Sequence, residues 1–299
     1  YDYQMRRYIP IEERATIIMI GCGGTGSHLL PNILQYACTK AKKERTKDPV
    51  VIICDGDEVE AKNLVRQRFS DQDLGENKAI ALARRYGAVF STQIKAFDGF
   101  LKDSEQLSAL IKSEATVCGP IILVGAVDNH RARAIMWDVF MKETTREIWW
   151  VDAGNETWHG QVVSGCRNVS LKQTATIHWS EAEIGESIMR VDLPCFFDEY
   201  PEDLANVINV PLVPQNECAE QVGENPQTIH ANTMAAKCAS NLVTQILEGQ
   251  IRTMSLNFDA KIGAISAKVL SRINIANAYV QMSESREKLK EIVNELNAQ

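Results

Sequence analysis

The sequence predicts an α/β fold: a mostly parallel sheet flanked by helices, with an antiparallel extension. Three observations predict it. Short apolar, β-branched runs recur at 15–20 (ATIIMI), 50–54 (VVIIC) and 121–127 (IILVGAV). Segments with helical periodicity separate them, and the runs stop at Gly21, Asp55 and Asp128. Strands that alternate with helices need crossovers, and crossovers give parallel neighbours of right-handed connection.

The first run is a strand that ends at Gly21, and a helix follows from near Ser27 with Leu29, Leu30, Ile33 and Leu34 on one face. Pro31 lies inside that helix and predicts a bend or a shifted start. Strand 50–54 leads to a helical segment from Lys78 to Tyr86, and strand 121–127 to a helix over Arg131–Met141. Trp149-Trp150-Val151 and Gln161-Val162-Val163 read as further strands, the second antiparallel after the turn residues Gly154-Asn155-Glu156.

From 166 to 225 the periodicity fades around Pro194, Pro201, Pro211 and Pro214, which predicts an irregular excursion over the surface rather than another strand–helix–strand unit. Pro226 suits the first turn of a helix carrying Ala235, Cys238, Leu242 and Ile246 on one face, and Gly249 is its natural stop. Residues 283–299 form a charged helix with Leu289, Ile292 and Leu296 in a stripe.

A chain of 299 residues, 45% hydrophobic, buries a full core as one large domain or two small ones. No repeat, low-complexity segment or Gly/Ser linker divides it. The simpler reading is an N-terminal arm at 1–14, a main domain at 15–270 and a helical extension at 271–299.

A formal net charge of -7 argues against a sequence-independent nucleic-acid binder, which needs a surplus of cations to displace phosphate counterions. The apolar stretches at 15–22 and 120–127 fall short of the roughly 20 residues a membrane span needs, and no apolar signal segment opens the chain, so a cytoplasmic protein without a membrane partner is expected. The eight cysteines are scattered and include no Cys-x-x-Cys pair, so reduced thiols and no zinc are expected.

Gly21-Cys22-Gly23-Gly24-Thr25-Gly26-Ser27 matches G-x-G-x-x-G between a strand and a helix, the context in which glycines let backbone amides approach a phosphate and a helix N-terminus favours its charge. No Lys follows as in a P-loop, so the motif alone points to a nucleotide, most often NAD. Asp55 has two readings, an acceptor for ribose hydroxyls or the start of a turn before Gly56.

The next residues narrow the choice: Asp55-Gly56-Asp57-Glu58-Val59, Asn63-Leu64-Val65-Arg66-Gln67, Gly75 to Lys78, and Asp128-Asn129. Together with the loop at 21–27, these five ordered motifs resemble the ThiF/MoeB and ubiquitin-activating-enzyme superfamily, a likeness that covers the first half of the chain. VDAGN (151–155) and GQVVSG (160–165) look most like the ThiF-family proteins of bacterial PRTRC-type systems.

The resemblance implies a Rossmann-like adenylating fold that uses ATP and Mg²⁺ to adenylate the C-terminal glycine carboxylate of a ubiquitin-like or sulfur-carrier protein. It implies a nucleotide site of Gly21, Gly23, Gly24, Gly26, Asp55, Asp57, Asn63, Arg66, Gln67, Lys78 and Asp128. Arg66 and Lys78 fall on the phosphate-contacting positions, and Asp128 on the magnesium-associated one; the alternative for Asp128 is the N-cap of the next helix. Arg6 and Arg7 stand where relatives extend a basic arm into a partner protomer, in a homodimer, or are incidental charges on an exposed arm.

Transfer of the acyl group to a cysteine, and then to a downstream conjugating enzyme, would need an accessible thiol. Cys218, in the crossover-loop position, is the first choice, against a plain loop cysteine; Cys195 is the rival. Cys22, Cys54 and Cys238 read as core or loop residues, and Cys38, Cys118 and Cys166 lie near element ends. His28, His159 and His230 read as structural or surface histidines, and Arg68 as a solvated cation. Three other functions stay open: adenylation of a peptide or small carboxylate, a non-catalytic nucleotide-binding subunit, and an NAD-dependent dehydrogenase.

Overall fold

The computed structural model describes residues 3–7, 14–116, 119–143, 146–176, 183–201, 203 and 227–297. Its strands are β1 (Tyr3–Arg7), β2 (Thr16–Ile20), β3 (Val50–Cys54), β4 (Ile94–Phe97), β5 (Ile121–Gly125), β6 (Ile148–Asn155), β7 (His159–Thr176), β8 (Glu183–Leu193), β9 (Thr253–Asp259) and β10 (Ala264–Val269). The helices are α1 (Gly24–Glu44), α2 (Lys78–Phe90), α3 (Ser104–Glu114), α4 (His130–Lys142), the short α5 (Phe196–Glu199), α6 (Ile229–Glu248) and α7 (Arg272–Asn297).

The strands form one sheet in the order β10-β9-β7-β6-β5-β2-β3-β4, with β1 and β8 also paired to β7. From β4 to β6 the pairing is parallel, and from β6 onward it turns antiparallel. The expected α/β sheet with its antiparallel extension is therefore the observed architecture.

Helices cover both faces, because the parallel strands are apolar on both. In β2, Ile17 and Met19 join the core under α1, α2 and α6, while Ile18 and Ile20 join the core under α3, α4 and α5. Trp149 and Trp150 divide between the two cores in the same way. That period-2 alternation with no polar side is what a doubly covered parallel sheet requires.

Helix α1 begins at Gly24, three residues before the expected start, and runs through Pro31 without ending. Helix α6 starts after its cap Thr228 and stops at Gly249 in the left-handed conformation, the expected stop. The last helix begins at Arg272, well before residue 283.

The larger difference lies at 166–193. Where an irregular excursion is expected, β7 continues to Thr176 and pairs antiparallel with β8, with register breaks between Cys166 and Val169 and between Gln173 and Ala175. Each break shifts the facing of the next residues, which erases the alternation that marks a strand. The expected excursion beyond 203, with Cys218, lies outside the described residues, and because α6 opens at Ile229 after Thr228, Pro226 precedes the helix rather than standing in its first turn as expected.

Residues 3–7 pair with the far part of β7, Arg6 opposite Lys172 and Arg7 opposite Leu171. Helix α7 is fastened to α5: Asp198, fully buried, accepts hydrogen bonds from Arg286 Nε (3.1 Å) and Nη2 (3.2 Å) and from the Cys195 amide (3.0 Å).

Candidate functional site

The parallel strands point their carboxyl ends the same way, and the chain runs outward from β2 through β3 to β4 before crossing back to β5 on the other side of β2. Such a switch point opens a crevice where ligands of α/β sheets bind. Here it is a cleft of 780 Å³, lined by the glycine loop, the turns after β3 and β5, the end of β6 and the first residues of α6.

Gly21 leaves β2 with φ +95°, and a Cβ there would collide with the carbonyl of Ala126. Only glycine takes that conformation cheaply. The loop is braced by Asp55: its Oδ2 accepts from the Cys22 amide (2.6 Å) and its Oδ1 from the Asp57 amide (2.9 Å). Asp55 thus starts a turn, one of its two expected roles, and ties the end of β3 to the loop. Carboxylate oxygens accept more than one hydrogen bond, so a ribose hydroxyl is still accommodated. Burial pushes the Asp55 carboxyl up, with Lys78 pulling the other way.

Lys78 opens α2 and is buried, its Nζ 2.8 Å from Asp57 Oδ2. Asn77, which the sequence reading passes over, caps α2 through Oδ1 and holds the Asp55 carbonyl through Nδ2 (2.9 Å). Asn63 is buried with Oδ1 accepting from the Glu60 amide (2.9 Å), so much of its capacity serves its own turn. Gln67 is also buried, and its Oε1 has no partner among the described residues. Both line the cleft.

Arg66 is half-buried and donates through Nη1 to Gln227 Oε1 (3.3 Å). Gln227 in turn donates to the Asn155 carbonyl (2.9 Å), Asn155 Nδ2 donates to Asn232 Oδ1 (3.0 Å), and Thr25 Oγ1 donates to Asn155 Oδ1 (2.9 Å). This polar net joins α1, α6 and the end of β6 around Arg66. Sequence reading misses Gln227 and Asn232, which are distant in the chain, and gives no role in this net to Thr25 of the glycine loop or to Asn155 at the end of VDAGN.

Asp128 is exposed and lines the cleft. The N-cap of α4 is not Asp128 but Asn129, whose Oδ1 accepts from the Ala132 amide (2.9 Å). That corrects the capping alternative and leaves the Asp128 carboxylate facing the cleft. Just behind it, Arg133 donates to the carbonyl of Val127 (2.8 Å) and to Asp152 Oδ1 (2.8 Å), with its guanidinium 4.8 Å from the Phe196 ring centroid. Burial pushes Asp152 up and Arg133 opposes it.

Among the described residues no three His, Cys, Asp or Glu side chains stand together as a metal cage. A single carboxylate can still serve Mg²⁺, which is usually held by one or two carboxylates, substrate phosphates and water.

Cys22, Cys38, Cys54, Cys166, Cys195 and Cys238 are all buried, and burial raises each thiol. Cys195 is sealed beside Asp198, so it is no accessible nucleophile. Cys118 and Cys218 lie outside the described residues. His28 is a satisfied structural histidine: Nε2 contacts the Arg66 carbonyl (3.1 Å) and Nδ1 accepts from Arg68 Nε (3.0 Å). Arg68 is exposed but spends that hydrogen bond on His28 rather than being simply solvated. His159 sits 3.2 Å from Asp259, and His230 stacks on Trp158.

A cleft at the switch point of a Rossmann-like sheet, walled by a glycine loop and two cations, defines a Rossmann-like α/β protein with a site suited to an anionic ligand. The ThiF family pattern matches residues 12–278, and the chain belongs to the ThiF family. No curated protein matches the sequence. Among solved structures, Escherichia coli MccB with ATP is similar at TM-score 0.53 and 13% identity, covering 88% of this chain and 66% of that one. E. coli MccB with AMPCPP and selenomethionine MccA is similar at TM-score 0.51 and 14% identity, over 88% of this chain and 65% of that one. The likeness is one of fold, and this chain spans just under two thirds of the length of those proteins. No helix among the described residues is long and apolar enough to cross a membrane.

Proposed function

We propose that this protein adenylates a C-terminal carboxylate with ATP and Mg²⁺. The observation that carries the reading is convergence: the N-terminus of α1 with its glycine loop, Arg66, Lys78 and the uncapped Asp128 all line one cleft. In this reading the loop amides and the α1 N-terminus receive phosphate oxygens. Arg66 and Lys78 offset the charge that spreads over them as the α-phosphorus is attacked. Asp128 is the carboxylate that holds Mg²⁺, whose chemistry when bound is to neutralise phosphate charge. The acceptor carboxylate oxygen forms a bond to the α-phosphorus, the bond from that phosphorus to the bridging oxygen breaks, and pyrophosphate leaves with the electron pair.

The acceptor we propose is the flexible glycine tail of a ubiquitin-like or sulfur-carrier protein. Where a thioester follows, burial of six cysteines leaves Cys118 and Cys218 as acceptors, and the family resemblance favours Cys218. A peptide acceptor is the second reading, favoured by the fold likeness to MccB, which has been solved with MccA.

Pyrophosphate exchange into ATP tests both, with a glycine-tailed ubiquitin-like protein and short peptides supplied in parallel. Exchange that needs an acceptor and is lost in Asp128→Asn is expected. A folded protein that neither binds ATP with Mg²⁺ nor exchanges pyrophosphate with any acceptor would refute the proposal.

A further inference from the structure

We propose that Phe100 is the plate on which the nucleobase stacks, so that affinity for the nucleotide depends on its base as well as its phosphates. The inference rests on the reading that the cleft takes ATP, and it names a residue which none of the sequence motifs contains.

The phosphate-binding groups account for the polar part of the cleft and leave Phe100 unexplained. Its ring lines the cleft and is 46% exposed, a poor use of a large aromatic unless a ligand covers it. The placement is fixed by backbone. The Asp55 amide donates to the Phe97 carbonyl (3.1 Å), which closes the end of β4 onto the end of β3. Residues 98–101 therefore run beside the turn at Asp55–Asp57, the turn that would receive the ribose.

One side of the Phe100 ring lies on Gly56, so close that a Cβ at position 56 would overlap ring carbons Cγ, Cδ2 and Cε2. Glycine at 56 thus lets an aromatic ring rest on the strand-end backbone, in the same cleft as the glycine loop. Leu101, Val127 and Ile135 also line the cleft and supply an apolar border. A bare ring held flush to the chain, beside the Asp55–Asp57 turn and bordered by aliphatic groups, is suited to the π face of a base.

Equilibrium binding of ATP and of inorganic tripolyphosphate, each with Mg²⁺, tests the assignment. Phe100→Ala is expected to weaken ATP about tenfold and to leave tripolyphosphate unchanged. Phe100→Tyr should keep wild-type affinity for both. Gly56→Ala, which forces the ring away, should weaken ATP to a similar degree, and adding it to Phe100→Ala should cost nothing further. Unchanged ATP affinity in Phe100→Ala, or an equal loss for both ligands, overturns the inference. A wild-type protein that binds ATP no better than tripolyphosphate overturns it while sparing the phosphate site; one that binds no ATP removes the proposed function as well.

Discussion

Lys78 and Asp57 form an unequal pair: their charged atoms are 2.8 Å apart, but the lysine side chain is 8% exposed and the carboxylate 54%. Water screens the carboxylate, so the pair adds little to stability. Its effect is to hold a buried cation in place at the cleft wall, where the proposed function has it exchange a solvated carboxylate for a phosphate. Lys78→Met is expected to weaken ATP binding roughly ten- to a hundredfold, the usual loss for a charge-assisted hydrogen bond, with little change in Tm. Calorimetric titration beside a melting curve checks both halves of that expectation.

Asp128 and Asn129 are neighbours with separable duties. Asn129→Ala removes the cap of α4 and should cost about 1 kcal/mol of stability while Mg²⁺-dependent nucleotide binding persists. Asp128→Asn should do the reverse, leaving the denaturation midpoint in place and abolishing the magnesium response. A destabilised Asp128→Asn protein would mean that the carboxylate has a structural duty after all.

Arg133 is paired with Asp152 deep in the core, where either partner left alone is an uncompensated charge. Arg133→Met should lower unfolding free energy by roughly 3–5 kcal/mol, and Arg133→Met with Asp152→Asn should recover much of it. Urea denaturation of the single and double variants provides the measurement. Because Arg133 also holds the Val127 carbonyl, both variants should bind nucleotide less tightly than their remaining stability alone accounts for.

His28 supplies a pH dependence. Burial holds its imidazole below the ordinary value of 6.5, so the unfolded chain takes up a proton more readily than the folded one. The contribution is intact above that value and is lost as pH falls below it, when protonation also removes the acceptor for Arg68. Stability should therefore decline on acidification from about pH 6.5. His28→Gln should flatten that part of the curve, as followed by chemical denaturation at successive pH values.

The parts of the site legible in sequence are those whose chemistry is local. Gly21 to Ser27 must turn where a strand meets a helix, and Asp55, Lys78 and Asp128 sit at element ends that hydrophobic patterning alone marks out. Gln227 and Asn232 were illegible because nothing near them in the chain announces that they will meet Asn155 and Arg66; only the packing of α6 against α1 and β6 does that. Arg133 carries no local sign either, since a helical arginine is ordinarily a solvated one. The strands at 166–193 were hidden for a different reason: two register breaks scramble the alternation on which strand recognition depends.

The clasp between Asp198 and Arg286 bears on where the chain can be shortened. Removing everything after Val269 would take away the guanidinium and strand a fully buried carboxylate, turning the end of a β-strand into a fault line through the core. Helix α7 is therefore a keystone rather than a tail: a protease that nicks the chain ahead of it would be expected to loosen the hydrophobic layer beneath α5, and with it the aromatic floor on which Arg133 rests.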